Sequence, residues 1–159
     1  LALGVEPPER DTMRRAPYHP QESIFGRGLG RHVAWVGLLM GFVSLGVGLW
    51  GWQTGNPYWS TMVFTTLTLS QMGHALAIRS DMRSLFSQGL FSNRLILTAV
   101  TLTFGLQMLI TYWAPMNDIF KTQPLPLKEL LISLGLSLVV FIGVEIEKMI
   151  KRSRKKASA

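Results

Sequence analysis

The chain has 159 residues, a formal net charge of +7, 48% hydrophobic residues and no cysteine. Lack of cysteine excludes a disulfide framework and thiolate chemistry. The positive charge lies beside apolar blocks rather than among aromatics, which argues against nucleic acid and for a membrane surface.

The apolar residues fall into four blocks, each approaching the ~20 residues that cross a bilayer core. This pattern predicts an all-α integral membrane domain of four helices over residues 30–150. Residues 1–29 precede it, with Pro7, Pro8, Pro17 and Pro20 among Glu6, Glu9, Arg10, Asp11, Arg14 and Arg15. Each proline removes a backbone donor and restrains its predecessor, so an extended loop in water is expected. The start, LALGVEPPERD, has no basic region and no long apolar run ahead of its acids, unlike a signal peptide. It reads as the continuation of a longer chain.

The first expected span, residues 33–52, has no charge, and its small residues Gly37, Gly41, Ser44 and Gly48 are spaced 4, 3 and 4 apart. Such spacing makes one helix face on which another helix can pack closely. QTGNP then reads as a turn. The second span, residues 58–78, is unusually polar for its place, with Ser60, Thr61, Thr65, Thr66, Thr68, Ser70, Gln71 and His74. Polar atoms are costly in hydrocarbon, so this helix should face protein or a water-filled cavity. At 100° per residue Thr61, Thr65 and Thr68 share an arc of roughly 60°, with Gln71 at its edge. Gln71 is neutral and carries an oxygen able to ligate a hard cation; bonding to a neighbouring helix is the other reading.

Residues 79–94 form a basic linker in which Leu85, Phe86, Leu90 and Phe91 suit a short interfacial helix. The third span, residues 95–114, ends in Tyr112 and Trp113, as an interfacial aromatic belt would. Its Gln107 is expected to bond a neighbouring helix. Residues 115–128 read as a loop, the fourth span covers residues 130–147, and residues 151–159 form a basic tail that frays in water and meets anionic lipid headgroups. Of the 16 Lys and Arg, 14 lie before the first span, in the middle linker or from Lys148 onward. By the positive-inside rule both termini are cytoplasmic. Gln71 then lies roughly 12 Å from the cytoplasmic helix end, inside the hydrocarbon.

No phosphate-cradling glycine loop is present. His19, His32 and His74 show no metal-ligand spacing. His74 is open to titration near neutrality if water reaches it, a helix contact being the plainer role. Glu145 and Glu147 stand at the rim of the fourth span with Lys148 and Lys151 in pairing range.

Three stretches together resemble the C-terminal part of calcium-type P-type cation-transporting ATPases. LALGVEPPERDTMRRAP is similar to the end of the family's sixth membrane helix and the loop after it, in the order L-A-L-G-x-E-P, D-x-M, R-x-P. Where the family usually has Arg-Pro-Pro, this chain has Arg15-Ala16-Pro17. LSQMGHALAIRSDMRSLFSQGLFSNR resembles the eighth helix and its following loop, and VEIEKMIKR the cytoplasmic ending. The resemblance implies the last four of ten membrane helices. It also implies that Pro7, Pro8, Asp11, Arg14, Arg15 and Pro17 belong to a loop that couples cytoplasmic phosphorylation to ion movement. At the position matching Gln71, the sarcoplasmic reticulum member of the family has a glutamate that serves one of its two calcium sites, while the plasma-membrane calcium pumps have glutamine and move one calcium per cycle, so the resemblance implies one site here. The implied partners are the preceding membrane helices and cytoplasmic domains of the same pump, together with membrane lipids and no nucleic acid. No cofactor belongs to this stretch itself. ATP, Mg²⁺ and transported Ca²⁺ belong to the whole pump, whose phosphorylated aspartate and nucleotide domain are not in this stretch, so alone it should hydrolyse nothing. A bacterial plasma membrane is the expected location. A free-standing membrane scaffold or regulatory subunit, and a pump of the same family moving Mn²⁺ or Na⁺, are the alternative readings.

Overall fold

The computed structural model describes residues 29–78 and 94–157, with side chains through Ser153. The coupling-loop residues Pro7, Pro8, Asp11, Arg14, Arg15 and Pro17, and the interfacial helix expected within 79–93, lie outside the described residues.

Among the described residues there are five helices: α1 (Leu29–Gln53), α2 (Trp59–Ala77), α3 (Arg94–Tyr112), α4 (Ala114–Phe120) and α5 (Leu127–Ala157). α1 stops where its sequence can no longer hold a right-handed backbone. Gly55 adopts φ +67°, its N–H reaches Trp52 O, and the N–H of Asn56 reaches Gly51 O at 2.9 Å. These two bonds form a Schellman cap, which satisfies carbonyls the helix end leaves over and needs a left-handed residue. Asn56 Oδ1 then accepts the N–H of Tyr58 at 2.9 Å, which sets the entry into α2.

Residues 115–128 are not all loop: Ala114–Phe120 is a short helix with Pro115 in its first turn. A proline there is favoured, because the first-turn N–H has no partner within the helix, so the residue that signalled a break marks a start. α4 closes at Lys121, which is left-handed (φ 55°). Asn117 Nδ2 donates to the carbonyls of Ile110 (2.8 Å) and Thr111 (3.0 Å), and Thr122 Oγ1 donates to Ile110 O at 2.7 Å. Two of the carbonyls that the end of α3 leaves over thereby find side-chain donors. α5 also departs from expectation. It begins before residue 130 and runs to Ala157 through the basic stretch, where Lys and Arg at a helix C-terminus oppose the negative end of its dipole.

Side-chain contacts fix the directions. A side chain on Gly51 would meet Trp59, and one on Gly48 would meet Val63, so α1 and α2 form an antiparallel hairpin. Thr61 Oγ1 accepts the N–H of Gln123 just before α5, while Ala77 at the end of α2 meets Lys148 near the end of α5; α2 and α5 are therefore parallel. Tyr112 at the end of α3 donates to Leu125 O at 2.9 Å. Hence the start of α1, the end of α2 and the end of α5 share one end of the bundle. The turn 54–58 and the segment 113–126 share the other.

The core is thin and layered. Val36, Ala77, Val140 and Val144 fill one end with Leu39, Met40, Val43 and Phe141 around them. Val47, Met62 and Leu125 fill the other. Many large apolar side chains point outward, among them Phe42, Leu45, Leu102, Leu106, Leu138 and Ile142, a surface suited to lipid or to further helices and not to water. Among the described residues three helices are long and apolar enough to cross a membrane: Leu29–Gln53, Arg94–Tyr112 and, within α5, Leu127–Ser153. α2 is as long as α3, at 19 residues, but is too polar to qualify on composition.

Candidate functional site

The polar residues of α2 divide by face. Thr61, Thr65, Thr66 and Ser70 are buried, packed within the bundle together with Ser133 and Ser137 of α5. Small side chains of this kind let helix backbones approach where no water is available. Thr68 turns back to its own helix and donates to Phe64 O at 3.0 Å. The shared arc of Thr61, Thr65 and Thr68 therefore does not act as one surface.

Gln107 of α3 inserts fully into the bundle (2% exposed). Its Nε2 donates to Thr65 Oγ1 at 3.1 Å and to Thr111 Oγ1 at 3.4 Å, and Thr111 Oγ1 donates to Gln107 O at 2.8 Å. This network is the polar tie between α3 and α2, and the single strongly polar residue of an apolar span was its signal in the sequence. Gln107→Leu is expected to cost about 0.5–2 kcal/mol, the range for a hydrogen bond between membrane helices. Thermal unfolding of the protein in detergent measures it.

Gln71 does the opposite. It is exposed on α2, although its neighbours Ser70 and Met72 are buried. An amide on the outside of a membrane-embedded helix loses water without gaining a partner unless something polar covers it.

The small-residue face of α1 is also divided. Ser44 and Gly48 are buried, and a Cβ on Gly48 would stand 2.8 Å from Val63 Cγ2. At Gly37 and Gly41 a Cβ would meet nothing within 4 Å, so their part of the face is open. Gly51, one turn beyond Gly48, has the closest approach, with a Cβ 2.7 Å from Trp59 Cβ.

At the end where α1 begins and α5 ends, the rim pairs of α5 that the spacing allowed meet two histidines from other helices that no spacing links to them. His32 Nδ1 lies 2.7 Å from Glu147 Oε2, a contact across 115 residues that only antiparallel packing creates. The rings of His32 and His74 stack with centroids 5.6 Å apart. Lys148, 5% exposed, donates to Ala77 O and lies 3.0 Å from Glu145 Oε1, while Lys151 lies 2.8 Å from Glu147 Oε1. Glu145 and Glu147 are therefore tied into the packing of the bundle end. Among the described residues no group of three or more His, Cys, Asp or Glu is placed to hold a metal ion.

Comparison with known proteins agrees with this architecture. The family described as "Cation transporting ATPase, C-terminus" matches residues 1–150. Human calcium-transporting ATPase type 2C member 1 is 35% identical over 158 residues, 98% of this chain and 17% of that protein. A calcium-transporting ATPase of Bacillus subtilis is 33% identical over 143 residues, covering 87% of this chain. One from Listeria monocytogenes is 34% identical over 152 residues, covering 95%. The chain thus spans about a sixth of the length of these relatives. It is an all-α membrane domain and belongs to the cation-transporting ATPase C-terminal family.

Proposed function

We propose that this chain is the C-terminal membrane support of an ATP-driven pump that moves Ca²⁺, and that α2 lends Gln71 to the ion path. The observation that carries the reading is the exposure of Gln71 on a helix whose other polar residues are mostly enclosed. In a whole pump the preceding membrane helices cover that face, and the amide oxygen is a neutral ligand of the kind a hard cation accepts. The open part of α1 at Gly37 and Gly41 is a second place for those helices to seat, and Gly41→Leu should then slow ATP turnover in the full-length protein. Residues 5–20 face the cytoplasmic domains that bind ATP and Mg²⁺, with both termini of this stretch cytoplasmic and four spans in all. α2 crosses because the other helices shield it. The expected setting is a bacterial plasma membrane, two of the similar pumps being bacterial.

The test is ATP-driven ⁴⁵Ca²⁺ uptake by vesicles containing the full-length protein, with Mn²⁺ and Na⁺ as competitors. Uptake is expected to saturate with Ca²⁺. Gln71→Ala should raise the half-saturating concentration about tenfold, as losing one oxygen ligand worth ~1.4 kcal/mol would. Unchanged affinity in that variant would assign Gln71 to helix packing, and uptake of Mn²⁺ or Na⁺ in place of Ca²⁺ would overturn the choice of ion.

A further inference from the structure

A groove of about 550 Å³ runs between α1 and α5 at the end of the bundle where α1 begins. Its mouth carries Arg31, from the first turn of α1, and Lys151, from the last turns of α5. Its walls are apolar. Ile146 and Ile150 stand four residues apart on one face of α5, both about half exposed, with Gly143 in the lining one turn below Ile146 and the Leu39 side chain of α1 packed close against it. Trp35 closes the α1 side, 46% exposed, and an indole at such a boundary offers an apolar ring and one N–H donor.

We propose that this groove binds one anionic glycerophospholipid, its phosphate between Arg31 and Lys151 and one acyl chain along Ile146, Ile150 and Trp35. Charge and polarity both select that occupant. The cations sit at the mouth and the apolar wall extends away from them, the order in which a lipid presents phosphate and hydrocarbon. α5 makes the depth consistent. Its 31 residues extend about 46 Å, longer than the ~30 Å hydrocarbon core, so Lys151 stands at headgroup level while Gly143 lies within the hydrocarbon. Glu147 also lines the groove, but its oxygens are engaged by His32 at 2.7 Å and Lys151 at 2.8 Å. One ion pair leaves the Lys151 ammonium with donors to spare, and it holds that ammonium at the mouth. Two cations against one carboxylate leave the lining positive, which favours a net-negative headgroup over a zwitterionic one. The site is separate from Gln71 and does not depend on which ion is transported.

The experiment uses the full-length protein in phosphatidylcholine vesicles and the quenching of Trp35 by brominated lipid. The Trp35 signal is the difference between the wild type and Trp35→Phe. Dibrominated phosphatidylglycerol should quench it with a relative association constant about five- to tenfold above that of dibrominated phosphatidylcholine, since each basic residue near an anionic surface contributes a factor of about five and Glu147 offsets part of it. The preference should fall to about one in the Arg31→Gln/Lys151→Gln double variant and persist in Arg31→Lys/Lys151→Arg. It should also persist when Arg154, Lys155 and Lys156 are changed to Gln. Equal quenching of the wild type by the two lipids would overturn the proposal without any variant. So would a preference that survives the groove substitutions and disappears with those of the tail.

Discussion

Lys148→Met is expected to lower the stability of the protein by about 3–5 kcal/mol, the cost of removing one partner from a buried charged pair. The Lys148 side chain is 6% exposed and that of Glu145 14%, so water screens the pair little. The ammonium also meets Ala77 O at the C-terminal end of α2, where a cation opposes the negative end of the helix dipole. One side chain of α5 thus joins its own Glu145 to the last turn of α2 at this end of the bundle. Met matches the length of the Lys stem and removes the charge and its donors. Lys148→Arg keeps a cation but brings a wider, planar head and should recover part of the loss. Thermal unfolding in detergent reads both. A Met variant within ~0.5 kcal/mol of wild type would show that the packing of α2 on α5 does not need this ammonium.

Gly51→Leu should be comparably damaging for a different reason. A Cβ at that position would stand 2.7 Å from Trp59 Cβ and 3.3 Å from Trp59 Cα, and the second of these is backbone that no rotamer change can move. The α1–α2 hairpin must open at its turn, and overpacking of this kind costs about 1–3 kcal/mol, more where backbone must shift. The Schellman cap aggravates it, because Gly51 O accepts the N–H of Asn56 at 2.9 Å. The paired control is Gly37→Ala, where nothing lies within 4 Å. That substitution should leave the unfolding midpoint of this domain unchanged or slightly raised, since alanine is the better helix former. Similar losses in both variants would mean that the contact at Trp59 is not what sets the effect.

The positions of the long helices were legible because a long apolar run free of charge suits little besides a membrane span. Their ends were less so. Pro115 reads as a breaker in the sequence, and only the position of Ala114 as the start of α4 turns it into a first-turn residue. The continuation of α5 through Lys151 and Arg152 was hidden by the same charges that mark the edge of a span. The spacing of Gly37, Gly41, Ser44 and Gly48 located a face but could not say which half meets α2, because that depends on the crossing of the two helices and not on period. Gln107 was legible as a residue needing a partner, and Thr65 supplies it. The meeting of His32, His74 and Glu147 was not, since the residues lie on three helices and no spacing links them. Gln71 gave the reverse case. Its chemistry could be read from the sequence, while its exposure appears only once Thr65, Thr66 and Ser70 are seen to turn inward.

The number of calcium ions carried per ATP bears most directly on the place of Gln71 in the ion path. A second divalent ion deep in a membrane adds two positive charges whose lost hydration must be offset, and carboxylates do so far better than amides. Gln71 supplies an oxygen and no charge. The measurement is ⁴⁵Ca²⁺ accumulated against phosphate released in sealed vesicles of the full-length protein. The account predicts a ratio of about one; a ratio near two would contradict it.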